Sequence, residues 1–149
     1  MKNHTPKDSL TNKEMQIADA RGQALAQCVI ACYGTKDIFE IAKRANVRVI
    51  YERWPLVTIG ECEPRLNVVR INLAALEQAD EANDVEFSRL MVTSIILAHE
   101  LGHLFDARLC AQEGKKPLSS ERIAHAFAAS LLKLSRSRVE YERLWLRKL

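Results

Sequence analysis

Residues 98–103 read Ala98-His99-Glu100-Leu101-Gly102-His103, a match to the pattern H-E-x-x-H. On a helix, residues four apart share one face about a turn apart. The imidazoles of His99 and His103 can therefore grip one ion from the same side, and their nitrogens suit zinc. Glu100 lies roughly 100° further round the helix. There it stands beside the metal rather than on it, placed to take a proton from an attacking water. The residues before the motif, Met91, Val92, Ile95, Ile96 and Leu97, make this helix apolar on most sides. It is expected to run from about Val85 to Leu109 and to be central, which holds ligands rigidly. Gly102 is a poor helix former, so its place inside the motif implies another backbone passing close by.

Zinc needs a third protein ligand, and three residues are candidates. Asp106 follows His103 by three positions and suits a supporting role beside a ligand imidazole. Glu121 opens the next strong helix, and a carboxylate from a separate helix would leave one position open. His125 lies one turn beyond Glu121, as an alternative ligand or as support. Glu121 is preferred, although a carboxylate at a helix start also satisfies the helix dipole.

Outward from the motif, helix alternates with a short strand region. Residues from about Lys13 to Tyr33 carry apolar side chains at helical spacing, and Gly34 is suited to end that helix. Thr35 is expected to cap the next helix, which buries Ile38, Ile41, Ala42 and Ala45. Val47–Glu52 reads as a strand, Leu56–Ile59 as a second, and Leu66–Asn72 as the best strand candidate. Gly60–Arg65 reads as a turn. Leu73–Glu77 suits a helical turn, and 77–86 suits an exposed polar connection or short helix. Gly114–Pro117 marks a loop. Ser119 or Ser120 can cap a helix carrying Ile123, Ala124, Phe127, Ala128, Leu131 and Leu132, with a bend near Ser135 and helix onward to Leu149.

The 149 residues fit a flexible tail over 1–12 and one domain over 13–149. With 48% hydrophobic and 28% charged residues, the chain can bury a core without disulfide staples. Its apolar runs are too short to span a membrane. No apolar run follows the N-terminal Lys, so the cytoplasm is the expected compartment and the four cysteines are expected to be reduced. Cys28 and Cys32 stand i,i+4 on the first helix, a spacing for metal or redox chemistry, with core packing the preferred reading. The net charge of +3 gathers in the last fourteen residues. That basic end reads as a solvated helix face, and direct nucleic-acid binding is not expected.

The order helix, helix, short strands, HELGH helix, then Glu121-Arg-Ile-Ala-His-Ala-Phe-Ala-Ala-Ser-Leu-Leu132, resembles the ImmA/IrrE family of zinc metallopeptidases. The resemblance covers roughly Gln23 to Leu134 and rests on HELGH together with Ala124-x-x-Phe127-Ala128-Ala129-x-Leu131-Leu132. It implies Glu121 as third zinc ligand and a bare catalytic unit. It also implies a narrow protein substrate such as a DNA-binding repressor or an antitoxin partner. The family's usual Asn is replaced here by His125, and its usual Pro after Leu-Leu is missing. The expected architecture is α+β and helix-dominated, zincin-like, with a small antiparallel or mixed sheet on the HExxH helix. The expected activity is zinc-dependent peptide-bond hydrolysis with Glu100 as base. His125 or Tyr51 could supply a second electrophile, and strand 67–72 could offer an edge to an extended substrate. The rival is a metal-binding regulatory or interaction module that cleaves nothing.

Overall fold

A helix that is apolar on nearly every side must be enclosed on nearly every side, and α4 is. The structure, a computed structural model, describes residues 10–114 and 120–140. Within it α4 spans Arg89–Glu113 and buries Ile95, Ile96, Leu97, Ala98, Leu101 and Leu104. Ser88 caps its start, accepting a hydrogen bond from the Met91 amide at 3.2 Å. Gly114 ends it with φ 67°, where a side chain would be strained. The helix thus begins later than the expected Val85, because Val85–Phe87 form a separate 3-10 turn that ends at the Ser88 cap.

Two helices precede the sheet. α1 spans Asn12–Tyr33, from the Thr11 cap to left-handed Gly34. α2 spans Ile38–Arg44 and is capped by Asp37, not by the expected Thr35. The Asp37 carboxylate accepts from the amides of Phe39 and Glu40, while Thr35 Oγ accepts from the Asp37 amide. Thr35 therefore supports the cap from two residues upstream.

The sheet has the order β1-β3-β2, with β1 (Arg48–Glu52) parallel and β2 (Gly60–Glu63) antiparallel to β3 (Val68–Asn72). β3 is central and largely buried, as its Val-Val-x-Ile content requires. Asn67 has φ 55°, so the strand starts at Val68 rather than Leu66. The expected strand Leu56–Ile59 is instead part of a loop, and the expected turn at Gly60 is strand β2. Side chains of buried Asn72 explain the loop: its Nδ2 donates to the carbonyls of Trp54 (3.1 Å) and Thr58 (3.0 Å). The same side chain accepts from the Ala74 amide, starting α3. α3 spans Leu73–Ala82, longer than a single turn because Ala75, Leu76 and Ala79 give it a buried face.

α5 (Ser120–Leu132) lies between α1 and α4, and both contacts are made where a side chain is missing. A methyl group on Gly22 of α1 would stand 2.5 Å from the Ile123 carbonyl oxygen of α5. One on Gly102 of α4 would stand 3.1 Å from Ala124 Cα and 3.0 Å from the Phe127 ring. The implied close approach at Gly102 is thus made by α5. A bend at Ser135 leads into the short α6, Arg136–Val139. The expected tail over 1–12 enters helix α1 at Asn12, and its first nine residues lie outside those described, as do Ser119 and the expected helix beyond Glu140.

Candidate metal centre

The i,i+4 spacing on α4 brings Nε2 of His99 and Nε2 of His103 to 3.1 Å from each other. α5 runs alongside and delivers Glu121 from its first turn. One carboxylate oxygen stands 2.7 Å from His103 Nε2 and the other 3.3 Å from His99 Nε2. Among the described residues these three offer ligand atoms all within 4.8 Å of one another, the only such group of three. Two ligands each about 2.05 Å from a tetrahedral zinc ion stand about 3.3 Å apart, so the spacing fits one such ion. Two nitrogens and an oxygen also form a donor set that zinc accepts. Hydrogen bonds from His103 and then His99 hold the Glu121 carboxyl well below its ordinary range, so it is available as an anion.

Ser120 is a part of the site that sequence reasoning saw only as a helix cap. Its hydroxyl lies 2.7 Å from His103 Nδ1. A metal on Nε2 requires the proton on Nδ1, and Ser120 Oγ then accepts it, fixing both tautomer and ring orientation. Ser120 stands next to Glu121, and that adjacency is the one sequence signal for it.

Glu100 is buried on the flank of α4 that faces β2. A side chain at Gly60 would stand 2.6 Å from Ile96 Cγ2 and 3.1 Å from Glu100 Cγ, so glycine is what lets β2 lie against Glu100. Cys62, two residues on, shares that face of the strand. Burial, then the charges of Glu100, Glu121 and Glu63, pushes its thiol up to about 12. Neither Gly60 nor Cys62 was legible as a site residue, because the stretch reads as a turn.

His125 packs its ring against His99, centroids 4.7 Å apart and tilted 49°. Burial, and after it the charge of His99, pushes its pKa down to about 4, so it is neutral at neutral pH. It lines a small cavity of about 10 Å³ with Ile59, Ile96, His99 and Glu100, and is not one of the three clustered ligands. A larger cavity, about 670 Å³, lies between α1, α5 and α6 and includes no residue of the cluster.

Four expected placements change. Asp106 is not beside a ligand imidazole; it is buried and accepts from Arg21 Nε of α1 at 2.7 Å. The stripe it shares with His103 turns toward α1 three residues later. Tyr51 is exposed on β1, separated from β2 by β3. β3 has a partner on each side, so it offers no edge to a substrate; the edge strands are β1 and β2. The thiols Cys28 and Cys32 are exposed, not core, while Cys110 is buried against Arg21 and Asp106.

No helix among the described residues is long and apolar enough to cross a membrane. The chain matches no family model, no curated protein and no solved structure. The site therefore carries the assignment: a His-Glu-x-x-His helix with a glutamate from a second helix is a gluzincin-type metal-binding cluster, of the general zincin-like metallopeptidase kind.

Proposed function

We propose that this chain is a zinc-dependent endopeptidase of the ImmA/IrrE kind, acting on a specific protein such as a repressor or an antitoxin. The observation that carries the reading is the convergence of His99, His103 and Glu121 from two helices, with buried Glu100 one residue along. In this reading the three side chains hold zinc, which when bound supplies Lewis acidity toward a water and a carbonyl oxygen. Ser120 keeps His103 in the ligating tautomer. Glu100 takes the proton of the attacking water and passes it to the leaving amine. Neutral His125 is the candidate donor toward the carbonyl oxygen, and β2 is the candidate edge for an extended substrate.

The narrow substrate rests on the family resemblance alone. The inward residues of that motif, Ala124, Phe127, Ala128 and Leu131, are all buried, as the resemblance requires.

A second reading keeps the metal and drops the chemistry. There a protein side chain such as His125 or Cys62 would close the fourth position, although neither is one of the three clustered ligands. Two measurements separate the readings. Glu100→Gln should retain zinc and lose cleavage of a repressor encoded nearby, at least 100-fold. Cobalt substitution should give no thiolate-to-cobalt charge-transfer band. A cleaving Glu100→Gln protein refutes the mechanism, and a thiolate band supports the closed module.

A further inference from the structure

Free cysteine is among the most buried residue types, and Cys110 follows that rule. Cys62 is half-buried. Cys28 and Cys32 break it together: both are exposed, both are free, and both stand on the same 22-residue helix, α1. Their i,i+4 spacing puts them one turn apart on one stripe, with Cβ atoms about 5–6 Å apart. A disulfide needs Cβ atoms roughly 3.5–4.5 Å apart, so an intact helix holds this pair too wide for direct oxidation to each other. One inserted atom relaxes that limit, because two metal–sulfur bonds of roughly 2.3 Å let the sulfurs stand up to about 4.6 Å apart, against about 2.05 Å in a disulfide. The helical neighbours on that stripe, Ala24 and Ala31, are small and exposed and bring no carboxylate to attract a hard cation. α1 itself is held by Thr11 and Gly34 at its ends and by close packing on α5, so the spacing is rigid.

We propose that Cys28 and Cys32 form a bidentate dithiolate site for a soft monovalent cation of the copper(I) class, separate from the His99–His103–Glu121 cluster. Thiolates select soft ions, and two-coordinate copper(I) needs no third ligand from the protein. On binding, each thiol releases one proton to solvent and each sulfur forms one bond to the ion. Copper stays in the +1 state, and no electron is transferred.

The test uses the full chain with zinc present, titrated anaerobically against copper(I) held by a chromophoric chelator. The wild type should withdraw one equivalent per chain and remain a monomer in that complex, with its zinc content unchanged. Cys28→Ser and Cys32→Ser should each lose at least tenfold in copper affinity, while Cys62→Ser and Cys110→Ser should match the wild type. The double variant Gln27→Cys/Cys28→Ser keeps two exposed thiols off the shared stripe and should also lose the site. Copper uptake that survives Cys28→Ser, that survives the shifted thiol, that fails in Cys62→Ser, or that bridges two chains would overturn the proposal.

Discussion

Replacing Gly22 by alanine sets two opposite effects against each other. Alanine is the better helix former, by about 0.8–1 kcal/mol in a helix interior. Against this, the added methyl group meets the Ile123 carbonyl oxygen at 2.5 Å, Ala126 Cβ at 2.6 Å and the Phe127 amide nitrogen at 2.9 Å. Two of these three obstacles are backbone, which no rotamer change can move. Ordinary contact begins near 3.4 Å, so α1 and α5 must part by about 0.9 Å (3.4 less 2.5). Overpacking of this kind costs about 1–3 kcal/mol, and backbone on two sides places it at the upper end. The net loss is then about 1–2 kcal/mol, or roughly 2–8 °C in Tm for a chain this long. Displacement also reaches the site, because Glu121 lies two residues from Ile123 on α5, so zinc affinity should fall with stability. Thermal melts followed by circular dichroism, with and without chelator, read the first effect, and competitive zinc titration reads the second. Ala24→Gly, at an exposed position of the same helix, calibrates the propensity scale. A Gly22→Ala protein that melts at or above the wild-type temperature would refute the close backbone contact of α1 with α5.

Two further outcomes follow from the charged and polar contacts. Burial opposes ionisation of Asp19, but Arg122 and Arg136, at 2.7–3.0 Å, outweigh it and hold the carboxyl below its ordinary 3.8. That contribution is present above about pH 4 and is lost as pH falls through the lower folded value, so Asp19→Asn should cost about 1 kcal/mol at pH 7 and markedly less near pH 2. Urea midpoints at the two pH values measure this, and an undiminished gap at the lower pH would contradict it. Ser120→Ala removes the acceptor for His103 Nδ1 and should weaken zinc binding roughly 10–100-fold with little change in apoprotein stability. Equal zinc affinity in a competition titration would show that Ser120 does not orient the ring.

What could be read from the residues was whatever depends on spacing along one helix. The i,i+4 histidines, the enclosed helix that bears them, the glycine that ends α1 and the close approach at Gly102 each follow from local geometry. Glu121 was reachable as a candidate because it opens a helix, but only the packing of α5 on α4 brings it to 2.7 Å from His103. Apart from local shifts at element ends, such as the Asp37 cap and the later start of α4, the failures involve pairing across distance. β2 reads as a turn because Gly60, Glu61 and Glu63 carry little strand propensity; it forms because β3 offers it an edge. Asp106 shares a helical stripe with His103, yet Arg21, 85 positions away, claims it. Cys28 and Cys32 look like core from composition, and only the seating of α1 on α5 shows which of its faces is left outside.

The account rests on three side chains sharing one ion, and zinc titration of the purified chain tests it most directly. The wild type and Glu100→Gln should each bind one equivalent tightly, while His103→Ala and Glu121→Ala should each lose that binding by at least 100-fold. Undiminished zinc uptake by His103→Ala or Glu121→Ala would contradict the account.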